Sequence, residues 1–233
     1  TLIALDTNNY MTEDETIRQQ CVDYLLEKQL ADGGWAMSGS TMNTDITGMA
    51  LQALYPYRDK ADVANAAQKA FDRLSREQLS TGGFLYGTGE TSESAAQIIV
   101  ACTTWGINPD TDTRFIKDGN SAVDNLLSYY VEDDAMFKHA QSGDSNAMAT
   151  DQAIYALIAY ERFKKGLNNL YDMSDMTAGQ YKTLNASQYT AKFGEATQQS
   201  SPYAVIEIPS ATSTGGKTFT GWNTAQDGSG ITY

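Results

Sequence analysis

The chain has 233 residues, 41% of them hydrophobic, which suits one large domain or a medium domain with a small appendage. Its 29 acidic and 16 basic residues leave a net charge of −13, which repels a nucleic-acid backbone or an anionic bilayer and sets both aside as partners. No apolar run reaches the roughly 20 residues that span a bilayer, so membrane insertion is not expected, and the opening TLIALDTNNY lacks a signal peptide's basic start and cleavage site, as expected of an excised or mature piece.

In chain order, Thr12 and Glu15 fit a capping box ahead of a helix with Ile17, Cys21, Tyr24 and Leu25 on one face. That helix runs into EKQLADGGW, where Gly33 or Gly34 can adopt the left-handed conformation that closes a helix. Thr44 is the expected cap of a second helix, with Ile46, Met49, Ala50, Ala53 and Leu54 as its apolar set and Pro56 as its stop. The phrase then returns as REQLSTGGF, 49 residues on from Trp35 to Phe84, a period that fits a two-helix repeat. Its helix carries Val63, Ala67, Ala70, Phe71 and Leu74, and its partner SAAQIIVACTTW is apolar nearly all round. A third pair is predicted from Val123, Leu126, Leu127 and Tyr130, followed by a helix starting at Thr150 with Ile154, Ala156, Leu157, Ile158 and Tyr160. There Asp134, Ala135 and Met136 stand in place of Asx-Gly-Gly, so a different turn is expected. First helices with one stripe and second helices apolar more widely imply outer and inner layers. Both cysteines, Cys21 and Cys102, fall in helical patterns and read as buried free thiols.

From Met173 the helical pattern stops, and QYTAKF, AVIEIP and KTFTGWNT, with the turn-forming QDGSG, read as a small β module. The expected organisation is a helical domain over 1–173, a linker over 174–187 and a β module over 188–233.

QLADGGW and QLSTGGF resemble the Gln-Trp type repeats of the terpene cyclase and protein prenyltransferase superfamily. More closely, TDITGMALQALYPY, ESAAQIIVACTTWGINPD, RFIKDGNSAVDNLL, MFKH and ATDQAIYALIAYERFKKGLNNLYDM resemble the prenyltransferase-like toroid domains of Gram-positive bacterial surface proteins. FTGWNTAQDGSGITY is similar to the Listeria–Bacteroides type β repeat, built around Phe219, Gly221, Trp222, Gly228 and Tyr233. These resemblances imply a mainly α chain, a partial α/α toroid of helical hairpins with a small C-terminal β-grasp-like module, located outside the cell on the bacterial surface or cell wall.

The residues themselves offer little chemistry. PDTDT and VEDDA do not match the Asp-x-Asp-Asp of a cyclase acid. His139 is the single histidine, with no Asp and Cys pair at zinc-site spacing, and neither cysteine lies in a thioester motif. No catalytic residue, metal or cofactor is assigned. Asp45, Glu93 and Asp151 recur where the first turns of the inner helices are expected. The helix dipole alone accounts for carboxylates there, and the functional reading is an acidic rim that receives a cationic or hydroxyl-rich ligand. Trp35, Phe84, Tyr86 and Tyr155 are either aromatic neighbours of that rim or packing anchors, and His139 is either a solvated capping residue or a ligand-binding imidazole. The expectation is a non-catalytic module binding a small ligand, a glycan or a host or bacterial surface protein. The alternatives are a cyclase or prenyltransferase-type enzyme with an atypical site, or a small-cofactor carrier resembling the cobalamin-binding toroids. LIALDTNNY reads as the tail of an inner helix, so the ring is expected to be incomplete and its exposed apolar strip to be covered, with a homodimer favoured.

Overall fold

The computed structural model describes residues 1–7, 9–175, 197–200 and 204–207. The chain divides into two compact units, Thr1–Asp175 and Met176–Tyr233. The first is mainly helical: α1 (Leu2–Asp6), α2 (Ile17–Lys28), α3 (Thr44–Leu54), α4 (Ala61–Glu77), α5 (Ser92–Thr104), α6 (Ala122–Leu127) and α7 (Ala147–Lys164). Three two-residue ribbons lie between them: β1–β2 (Leu85–Tyr86 with Gly89–Glu90), β3–β4 (Ile116–Lys117 with Asn120–Ser121) and β5–β6 (Tyr130–Val131 with Met136–Phe137), all antiparallel. Among the described residues of the second unit, β7 (Thr197–Ser200) pairs antiparallel with β8 (Ala204–Glu207). β8 coincides with the start of the predicted AVIEIP strand; QYTAKF, KTFTGWNT and the β-repeat residues Phe219 to Tyr233 lie outside the described residues, as does the linker beyond Asp175.

The helical unit has two layers. α5 packs between α3 and α7, with α6 against it, while α4 backs α3 and α2. Every residue of α5 is buried, as expected of a helix apolar nearly all round. α4 instead buries only one stripe, Val63, Ala66, Ala67, Ala70, Phe71 and Leu74. The three inner helices run parallel. Ser94 meets Asp45 at the amino-terminal ends of α5 and α3, and at the carboxy-terminal ends Trp105 donates to Leu51 O (2.8 Å) and sets its ring edge-on to Tyr55 at 5.6 Å.

The repeated phrase has a physical role that its glycines alone do not reveal. Gln29 Nε2 donates to Gly33 O (2.7 Å), closing its own turn, and to Ala66 O (2.8 Å) of the neighbouring outer helix. Gln78 repeats this with Gly82 O (2.8 Å) and Phe115 O (2.9 Å). Gly33 (φ +103°) and Gly82 (φ +80°) are left-handed, and they press so closely on the next hairpin that an added Cβ would lie 2.5 Å from Lys69 O and 2.1 Å from Ser121 O. Glutamine and glycine together fasten each hairpin to the one that follows.

Several local expectations are corrected. No capping box forms at Thr12 and Glu15, because Asp14 Oδ1 takes the Thr16 N–H (2.8 Å) and hydroxyl (2.6 Å) in a turn ahead of α2. Tyr24 is exposed and Val22 holds the core position on α2; likewise Leu127 and Tyr130 are exposed and Tyr129 is buried in the third hairpin. Thr44 is not a cap, and Thr150 does not open α7. Asn43 and Asn146 cap α3 and α7 by accepting from Ile46 N and Ala149 N, so α7 starts three residues earlier than predicted. Cys102 is buried and Cys21 half-buried, both free. α1 packs on α2 and α3 and buries Leu2, whereas α7 leaves Met148, Ile154 and Ile158 exposed. Among the described residues no helix is long and apolar enough to cross a membrane.

Candidate functional site at the amino-terminal ends of the inner helices

The Asn43 and Thr91 caps each place an acid two residues later, Asp45 on α3 and Glu93 on α5. Ser94 Oγ donates to Asp45 Oδ1 (2.6 Å), and His139 Nδ1 lies 2.9 Å from both Glu93 oxygens. A carboxylate can only accept, so that nitrogen carries the proton and donates. The His139 loop is itself pinned across the start of α5: Ser92 N donates to His139 O (3.1 Å) and Ser92 Oγ to Lys138 O (2.7 Å). Glu93 is buried, while the imidazole above it is 53% exposed. Burial holds the Asp45 carboxyl above its ordinary range, the Ser94 bond works against this, the Glu93 charge adds to it and His139 opposes it. The mouth thus holds an acid pair, Asp45 held by Ser94 and the buried Glu93 bridged to the solvent by histidine.

Asp151 does not belong to this group. It is exposed in the second turn of α7, and the position equivalent to Asp45 and Glu93, two beyond the cap, is Met148. Trp35 and Phe84 are core residues and not walls of a cleft; Trp35 Nε1 donates to Leu25 O (2.7 Å). Tyr86 is exposed on the β1–β2 ribbon, which reaches the start of α3 through a bond from Thr44 Oγ1 to Leu85 O (3.2 Å). Tyr155 is half-buried, bonded to Gln97 Nε2, with its hydroxyl pushed up mainly by burial and further by several nearby groups that include Asp45 and Glu93.

Below the mouth lies a polar ladder that sequence reasoning missed. Gln97 Nε2 donates to Gln152 Oε1 (2.9 Å), Gln52 Nε2 donates to Gln97 Oε1 (3.0 Å), and Tyr171, in the segment after α7, donates to Gln52 Oε1 (2.6 Å). One glutamine from each inner helix is therefore joined across the same face, and the chain's own Tyr171 closes the row. The available signal was a glutamine inside each apolar inner helix, at 52, 97 and 152. Farther along, where α3 and α5 end, an open cleft of about 480 Å³ is lined by Tyr55, Arg58, Thr104 and Tyr171 among others.

Among the described residues no three His, Cys, Asp or Glu side chains converge as metal ligands, and the Cys102 thiol is pushed far up by burial. Compared with models of known protein families and with curated proteins, the sequence finds no match.

Proposed function

We propose that the chain is a non-catalytic binding module of a secreted or wall-attached bacterial surface protein, with a helical unit that is an incomplete α/α toroid of the prenyltransferase-like kind and a β-repeat segment after it. The observation that carries the non-catalytic part is the glutamine ladder. Across the face shared by α3, α5 and α7, Gln152, Gln97 and Gln52 bond to one another and to Tyr171, with no carboxylate or thiol among them. Of the candidate residues, those open to a partner stand at the mouth, where the half-exposed His139 ring lies over Glu93 and Tyr86 is exposed on its ribbon. Parallel inner helices and the Gln-Gly-Gly fastening support the toroid reading, and the exposed Met148, Ile154 and Ile158 on α7 support a second copy as their cover, testable by light scattering.

The enzymatic alternative draws on Asp45, whose raised carboxyl resembles a proton donor. A cyclase-type acid, however, needs an apolar chamber, and Asp45 and Glu93 sit at helix ends among Ser94 and His139. Incubating the purified chain with squalene or with farnesyl diphosphate and a cysteine peptide tests this alternative: no product is expected, and turnover abolished by Asp45→Asn would overturn the non-catalytic proposal. For location, antibody against the chain should label intact cells of the source bacterium; labelling only after permeabilisation would reject the surface assignment.

A further inference from the structure

A second cleft, of about 790 Å³, lies between the β1–β2 ribbon, α6 and the loop at residues 140–142. Its ionisable groups are acidic apart from the Tyr129 phenol: Glu90 and Asp124 line it, and no lysine, arginine or histidine does. Acidity alone would mean little. The informative atoms are two buried polar groups on its wall with no hydrogen-bond partner, Asn125 Oδ1 and the Tyr129 hydroxyl, in residues only 4% and 1% exposed. Asn125 is oriented by its own amide nitrogen, which donates to Thr81 O and to Glu90 Oε2, both at 3.2 Å, so the unmatched atom is an acceptor. Glu90 Oε2 also takes the Thr81 hydroxyl (2.8 Å) and Asp124 Oδ2 takes the Ser121 N–H (2.9 Å), which leaves the second oxygen of each carboxylate for a ligand. Burial, foremost, pushes the Tyr129 hydroxyl up to about 12, so it stays protonated. The Gln141 amide, which donates to Ser128 Oγ (2.8 Å), is near enough to temper that rise but does not meet the hydroxyl at hydrogen-bonding geometry. A buried acceptor without a donor costs about 1–3 kcal/mol, and a ligand rich in donors removes that cost.

We infer that this cleft binds the guanidinium group of an arginine on a partner protein. Guanidinium presents five donors and no acceptor in a planar fork, which suits a cleft lined by an unmatched amide oxygen and two carboxylates, and it loses less hydration than an ammonium when enclosed. The inference concerns a different set of residues from the Asp45–Glu93–His139 mouth and does not rest on the surface assignment; it would hold for the chain in any compartment.

The test uses the full chain labelled with 15N and titrated with Nα-acetyl-argininamide, with the lysine and citrulline derivatives in parallel. The arginine derivative should shift the Asn125 side-chain amide and the backbone amides of Gly89 and Ser128 at millimolar concentration, the lysine derivative should bind more weakly, and the neutral citrulline derivative should not bind. Glu90→Gln should weaken arginine binding roughly fivefold or more. Tyr129→Phe, which removes only a hydroxyl, should weaken it without lowering the melting temperature. Equal binding of citrulline, preference for lysine, shifts elsewhere on the molecule, or an affinity indifferent to both substitutions would each overturn the inference.

Discussion

In the first hairpin the chain leaves α2 through Gln29 and the left-handed Gly33; in the third it leaves α6 through the β5–β6 ribbon, where Ala135 takes the left-handed position at φ +52°. Beyond those turns the two hairpins converge again. Thr47 Oγ1 accepts from Trp35 N (2.9 Å) and donates to Asn43 O (2.8 Å), and Thr150 Oγ1 accepts from Phe137 N (2.9 Å) and donates to Asn146 O (2.8 Å). The middle hairpin keeps the glutamine and glycines but has Ala95 at the threonine position, four beyond its cap. What is preserved across the copies is therefore a set of backbone groups to be satisfied, and different pairs of copies satisfy them with the same side chain. A buried aromatic, Trp35, Phe84 or Phe137, follows the turn in all three.

Removing that aromatic should have the largest effect. Trp35→Ala leaves a cavity and an unpaired Leu25 carbonyl, and about 3–5 kcal/mol of stability should be lost in denaturant unfolding. Gly82→Ala comes next, at about 3 kcal/mol, because the new Cβ would meet Ser121 O at 2.1 Å in a left-handed backbone. Gly87→Ala, left-handed at φ +62° with nothing within 4 Å, separates the two causes and should lose only about 1 kcal/mol. If both variants melt alike, packing between hairpins is not what the glycine serves. Gln78→Leu leaves Gly82 O and Phe115 O without their donor and should cost about 2 kcal/mol. The third hairpin has no such glutamine to lose.

The 3.6-residue period made α4 and its core stripe legible, and the Gly-Gly phrases marked where the outer helices end, because both are written in neighbouring residues. The function of the glutamine was not legible, since Ala66 and Phe115 lie 37 residues away in sequence. The start of α7 was misplaced for a related reason: Thr150 has the composition of a cap but serves Phe137 N, a contact made across the loop. Of the candidate site, Asp45, Glu93 and His139 are brought together, the last two by a loop bond between residues 46 apart. Asp151 falls out with the shift of the helix start, and the glutamine ladder was not legible because its bonds join residues 45 and 55 positions apart.

The mouth provides a smaller effect. The third hairpin puts Met148 where the first puts Asp45, so of these two hairpins only the first carries an acid at that position. Because folding raises the Asp45 value above 3.8, the folded state binds its proton more tightly, and the wild type loses stability as pH rises from 3.8 through the raised value. Asp45→Asn should therefore melt higher than wild type at neutral pH, with the gap narrowing as pH falls toward 3.8. A gap independent of pH would assign the gain to something other than ionisation.

The smallest effect is expected at Ala135. A left-handed alanine is disfavoured by about 1–2 kcal/mol, since its Cβ crowds the following carbonyl, whereas glycine accepts the conformation but has about 0.5–1 kcal/mol more backbone entropy to lose on folding. Ala135 is exposed and its N–H is already bonded to Glu132 O (3.1 Å), so substitution changes neither burial nor hydrogen bonding. The balance leaves Ala135→Gly more stable by up to about 1 kcal/mol, read as a slightly higher midpoint in denaturant at unchanged slope. The same change would give the third turn the residue type that the first two already carry. A loss of stability would show that the β5–β6 ribbon depends on alanine to restrict its unfolded chain, and that the third turn is a separate solution to leaving an outer helix.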